Sequence, residues 1–229
     1  MNVLVMAAHP DDEVLGCAGA MARHVLAGDK VQPVILAEGA TSRDVDRNRE
    51  ERTAEINNLK EAALAASEVL GVLAPIFHDF PDNRMDGMER LDITKAIEGH
   101  IRDFKPEIIY SHHAGDVNID HRCIHEAMIP ATRPLPESGV NTLLFFEVAS
   151  STEWQPPGSA SVFNPNWYIN IAETLQLKLR ALECYSSEMR DWPHARSIKA
   201  VEHLARWRGA SVGAEAAEAF VLGRNIIKS

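Results

Sequence analysis

The sequence predicts an α/β fold, a doubly wound and mainly parallel sheet, on three observations. Short apolar runs alternate with stretches of helical periodicity. The first run, Asn2 to Ala8, is apolar almost throughout, as in a strand buried on both faces. Dense polar clusters stand directly after strands, where an open parallel sheet has its ligand crevice.

Taken in order, residues 2–8 form the first strand, bounded by His9-Pro10. Glu13 to Leu26 carries Leu15, Ala18, Ala22, Val25 and Leu26 at helical spacing and stops at Gly28-Asp29. Val31 to Ala37 is the second strand. After a charged stretch from Ser42, Ile56, Leu59, Ala63, Leu64, Ala66 and Leu70 mark a helix that ends at Gly71. Pro75 to His78, Glu107 to Ser111 and Thr142 to Val148 read as further strands, separated by helices near Leu91 to Asp103 and His121 to Ala131. Ser150 to Asn166, with Pro156, Pro157 and Pro165 and no apolar period, is a loop at the rim of a site. Ala172 to Met189 and Ser197 to Arg208 read as two closing helices. No repeat or long linker divides the chain, so one domain is expected over residues 1–229, with its core in about 1–148 and the loop and closing helices in 149–229.

Hydrophobic residues at 45% and charged residues at 24% exclude disordered and low-complexity classes. A formal charge of −10 repels phosphate backbones and anionic membranes, so neither nucleic acid nor a lipid surface is an expected partner. No apolar run approaches a membrane span, and the acidic N-terminal segment lacks a basic flank, which points to a cytoplasmic protein. Cys17, Cys123 and Cys184, odd in number and without metal-type spacing, speak against a disulfide framework.

Two clusters carry the chemistry: His9-Pro10-Asp11-Asp12-Glu13 after the first strand, and Ser111 to Arg122 after the strand at Glu107 to Ser111. A helix start asks for one acid, whereas three stand in a row here, and their mutual repulsion calls for a cation. Histidine with carboxylate oxygens suits zinc, which in catalytic sites takes three protein ligands and leaves one position open. His9 and Asp12 are the expected ligands. Asp11 then stands where a carboxylate can take a proton from the metal-bound water. The third ligand must come from the second cluster, where His121 competes with His112 and His113, and Asp120 can orient an imidazole or cap the helix.

The AHPDDE segment after the first strand, paired with GDVNIDHR about a hundred residues on, resembles the LmbE-like or PIG-L family of zinc-dependent N-acetylglucosaminyl deacetylases. Leu36-Ala37-Glu38-Gly39 and the closing RGASVGAEAAEAF look like family features as well. The resemblance implies a Rossmann-like sheet, a zinc site at His9, Asp12 and His121, and Asp11 as general base. Many members carry a histidine three residues before the last ligand, where this chain has Asn118, which can donate a hydrogen bond to an oxyanion but supplies no charge.

The reaction expected is hydrolysis of an N-acetyl group on an amino sugar or sugar conjugate, with Asp11 as base and then acid. Arg43 and Asp82, on loops leaving the second and third strands, are candidates to grip substrate hydroxyls. His194, between the closing helices, is the candidate second donor to the oxyanion, with His113 as its competitor. Its connection can reach over the crevice of its own subunit or of a neighbour, which allows for a homo-oligomer. Two other classes compete: a nucleotide-binding module, disfavoured because the first turn is acidic and lacks a glycine-rich fingerprint, and a magnesium-dependent phosphoacceptor, disfavoured by the histidines.

Overall fold

Alternate residues of the first strand feed two different cores, which is why its apolar run is nearly unbroken. The computed structural model describes residues 1–135 and 138–227. In β1 (Asn2–Ala7), Val3, Val5 and Ala7 face one layer of helices, while Leu4 and Met6 face the other. The same division runs through β2 (Lys30–Ala37), β4 (Ile108–His112) and β5 (Thr142–Phe146). On the first face pack α1 (Asp12–Leu26), α2 (Thr53–Leu70), α5 (Leu175–Cys184) and α6 (Ile198–Ala210). On the second pack α3 (Arg90–Phe104) and α4 (Ile119–Ala131).

The seven-stranded sheet has the order β3-β2-β1-β4-β5-β7-β6, with β3 at Ile76–Phe80. The first five strands are parallel, as expected of a doubly wound α/β sheet, and β1 lies between β2 and β4. The order reverses there, so the crevice opens beyond the carboxyl ends of β1 and β4. Both polar clusters sit at that point.

Two strands were not foreseen. β6 (Trp167–Asn170) and β7 (Ala217–Asn225) extend the sheet antiparallel beyond β5. The two alanines and the glutamate that open β7 have low strand propensity, and their burial overrides it. The first closing helix is also shorter than its apolar period suggests. It ends at Cys184 because Tyr185, with ψ 43°, leaves the helical path and takes its side chain into the core. Among the described residues no helix is long and apolar enough to cross a membrane.

Gly115 lies where the loop after β4 meets the proline-containing loop. A Cβ there would fall inside the carbonyl of Ser161. Gly115→Ala should therefore destabilise the fold by about 1–3 kcal/mol, the usual scale of overpacking, measured by denaturant melting.

On the far side of the sheet His78 in β3 and His100 in α3 face each other, Nε2 to Nε2, at 2.7 Å. Partial burial lowers both below their ordinary pKa, and only one proton fits between them. The folded state thus binds fewer protons than the unfolded chain, and stability is lost as pH falls through about 6.5. The double variant His78→Phe, His100→Leu should show a flatter fall of Tm between pH 7 and pH 5.

Candidate active site

The turn from β1 into α1 is the strained part of the site. Asp11 has φ 109°, a left-handed conformation that costs a non-glycine residue about 1–3 kcal/mol. It persists because its backbone is held. The Asp11 carbonyl accepts from Val14 N (3.0 Å) and Leu15 N (2.8 Å), and the Asp11 N–H donates to Glu13 Oε2 (3.2 Å). Glu13 therefore turns away from the crevice, its other oxygen accepting from the Tyr185 hydroxyl. Burial pushes the Glu13 carboxyl up to about 8, so at neutral pH it holds a proton. Glu13 is thus engaged with the turn and with Tyr185, which leaves Asp11 and Asp12 for the crevice.

Those two have different surroundings. Asp12 Oδ2 accepts from His9 N (2.8 Å) and lies 3.2 Å from His9 Nδ1 and 3.1 Å from His121 Nε2. The ligand atoms of His9, Asp12 and His121 all fall within 4.8 Å of one another. Asp12 Oδ1 is buried without any hydrogen-bond partner, which costs free energy unless a cation satisfies it, and Asp12 Oδ2 and His121 Nε2 face each other beside it. The donor set of two imidazoles and one carboxylate fits zinc.

The competing histidines are occupied. His112 Nε2 accepts from Ala8 N at 2.8 Å, so its lone pair is spent, and its ring stacks on His121 at 3.9 Å. His113 Nε2 donates to the carbonyl of Ser161 at 2.9 Å.

A second group, His9 with Asp82 and Asp120, converges on the other nitrogen of the same ring. His9 Nε2 lies 3.0 Å from Asp120 Oδ2 and 3.2 Å from Asp82 Oδ1. Asp120 also accepts from Asn83 N (2.6 Å) and Met85 N (2.9 Å), and Asp82 from Ser42 N (3.0 Å). Although burial pushes Asp82 up, the hydrogen bonds from His9 and Ser42 hold it down at about 2. With Nδ1 facing Asp12, Nε2 carries the proton, and the two carboxylates orient the ring rather than hold a second ion. Asp116 plays the matching part for His121, 3.2 Å from Nδ1, while accepting from Ser151, Thr152 and the backbone of Asn118.

Asp11 meets a cation that the sequence gave no sign of. Arg196 Nη1 lies 2.7 Å from Asp11 Oδ2, and its Nε donates to Ser150 Oγ at 2.7 Å. Burial pushes Asp11 up to about 7, against the downward pull of Arg196. His194, two residues before, accepts from Arg196 N with Nδ1 (3.0 Å) and packs edge-on against Trp154. What reaches Asp11 from this connection is Arg196. Asn118 is the N-cap of α4: its Oδ1 accepts from Asp120 N at 2.9 Å, which leaves its Nδ2 hydrogens as the function it can offer. Arg43 stands half-exposed, paired to Glu188 (3.0 Å) and Glu55 (3.4 Å), and Glu188 in turn lies 3.9 Å from Arg196.

A family model described as PIG-L, GlcNAc-PI de-N-acetylase, matches residues 4–132, the segment that holds His9, Asp11, Asp12 and His121. The chain belongs to the PIG-L family. Its relatives include the uncharacterized deacetylase YaiS of Escherichia coli (strain K12), 30% identical over 143 residues that make up 59% of this chain and 70% of that protein. PIG-L proteins of this kind are deacetylases, hydrolases acting on carbon–nitrogen bonds, and they are metal-dependent. Among solved structures, N,N'-diacetylchitobiose deacetylase from Pyrococcus horikoshii superposes with a TM-score of 0.75 at 17% identity, over 97% of this chain and 84% of that one. GalB, the 4-carboxy-2-hydroxymuconate hydratase of Pseudomonas putida KT2440, does so with a TM-score of 0.74 at 22% identity, over 100% and 98%. These likenesses show a shared α/β fold.

Proposed function

We propose that the protein removes an N-acetyl group from an amino sugar or sugar conjugate, using zinc held by His9, Asp12 and His121. The observation that carries this reading is the convergence of the His9, Asp12 and His121 ligand atoms within 4.8 Å around the unpartnered, buried Asp12 Oδ1, next to the strained Asp11. Zinc bound there supplies Lewis-acid polarisation of the acetyl carbonyl and a water acidic near neutral pH. Asp11 accepts the proton of the attacking water at its carboxylate and returns it to the departing amine. Arg196 keeps that carboxylate in place and brings positive charge beside the reacting atoms, while Asn118 offers its Nδ2 hydrogens to the developing oxyanion. Of the residues expected to grip sugar hydroxyls, Arg43 is the one that stands half-exposed, whereas Asp82 and His113 are buried and bonded to His9, Ser42 and Ser161. His194 supports the turn that delivers Arg196.

The test is release of acetate and free amine from a panel of N-acetylated amino sugars and their conjugates. Stoichiometric release, abolished by a chelator and restored by zinc, is expected. Absence of acetate from every member with zinc fully loaded would sink the reading. Within it, Arg196→Ala should lower turnover by roughly tenfold to a thousandfold, the scale of one lost electrostatic donor, with metal content unchanged.

A further inference from the structure

Helix α1 is broken in its middle, and side chains from outside the family-matched segment fill the break. Cys17 has φ −149° and ψ 22°, which interrupts the helix. In an unbroken helix Gly19 N–H would bond to the Leu15 carbonyl and Ala20 N–H to that of Gly16. Instead Lys178 Nζ donates to Leu15 O at 2.7 Å. Glu218 accepts from Gly19 N (2.9 Å) and Ala20 N (2.7 Å), and Thr174 Oγ1 donates to Gly19 O (2.8 Å). Lys178 and Glu218 are buried and 2.6 Å from each other.

The piece of α1 before the break is the turn that carries Asp11 and Asp12. Its leading end is held by the same helix that carries Lys178, because Tyr185, the residue after α5, donates to Glu13, and Glu13 holds the Asp11 N–H. A buried ion pair is a costly way to fill a core, since apolar residues of similar volume do so as well or better. Here the partners of both charges are each other and the broken rungs of α1. That assignment of bonds points to direction rather than to packing.

We infer that Lys178, Glu218 and Tyr185 are positioning residues that set where Asp11 and Asp12 point. The ion pair takes over the hydrogen bonds that the break leaves open, which lets the first turn adopt its own direction. Tyr185, acting through Glu13, fixes the left-handed backbone of Asp11. The inference rests on the metal reading above, and cobalt(II) serves as probe because its visible absorption reports coordination geometry without need of a substrate.

The double variant Lys178→Met, Glu218→Gln removes both charges together and leaves no uncompensated ion. At a temperature where circular dichroism shows it fully folded, its cobalt spectrum should differ from wild type and its cobalt affinity should fall by about tenfold or more, the range of outer-shell losses. A lowered Tm with wild-type spectrum and affinity would make the pair merely structural and overturn the inference. Wild-type protein that binds no cobalt would instead overturn the metal reading. Tyr185→Phe deletes one hydroxyl from the folded protein and should lower kcat about tenfold with KM and metal content unchanged. Unchanged kcat in that variant overturns the role of Tyr185.

Discussion

His121→Ala should leave a folded protein that has lost most of its metal and nearly all of its activity. His121 is buried, comes from the first turn of α4, and places its Nε2 3.1 Å from Asp12 Oδ2. Its neighbour His112 cannot replace it, because burial keeps that ring neutral and its Nε2 is already bonded to Ala8 N. Zinc held by two remaining ligands loses far more than the roughly 10–100-fold that follows removal of an outer-shell partner. Asp116→Asn provides the internal comparison. It disturbs the contact to His121 Nδ1 but removes no ligand, so its loss of affinity should stay within that smaller range. Metal content by elemental analysis and zinc affinity by competition with a chromophoric chelator separate the two. Full metal content in His121→Ala would displace it from the site.

The parts of this protein that were legible in its sequence are those set by local spacing. The run at 2–8 could be read as a doubly buried strand because its alternate residues serve two cores. His9 and Asp12 could be paired because they stand three apart across one turn. His121 lay 109 positions beyond Asp12 and needed the second motif to be found. Arg196 and Tyr185 had no such aid: they meet Asp11 and Glu13 across 185 and 172 residues, and a single arginine or tyrosine in a helix connection has no pattern of its own. His194 drew the expectation of a cation in the site because histidine is the residue of proton chemistry, yet the side chain that arrives is two positions later. The different places of the three acids were not legible: Glu13 is taken up by the Asp11 N–H and the Tyr185 hydroxyl, and burial pushes its carboxyl up, which depends on a pocket built by distant residues. Strand β7 was missed because its alanines have low strand propensity, although its Glu218 is the acid that reaches the break in α1.

Asp11→Asn should keep the metal and lower turnover by roughly a hundredfold to ten-thousandfold, the scale of losing a general base. Two features make this variant clean. Asparagine tolerates the left-handed region about as well as aspartate, so the turn held by Glu13, Val14 and Leu15 survives, whereas alanine would add backbone strain of about 1 kcal/mol to the chemical loss. The carboxylate that faces His9 and His121 belongs to Asp12, so the ligand set is untouched. What changes is one oxygen, replaced by an amide that cannot take a proton from water or return one to an amine. Arg196 then loses its charged partner and keeps Ser150 and Glu188, which confines the disturbance to the reacting side of the site. The signature is a fall in kcat with KM nearly unchanged and zinc at its wild-type content, opposite in kind to His121→Ala, where metal and activity leave together. Loss of zinc in Asp11→Asn would make Asp11 a ligand and would undo the division of labour between the two adjacent acids.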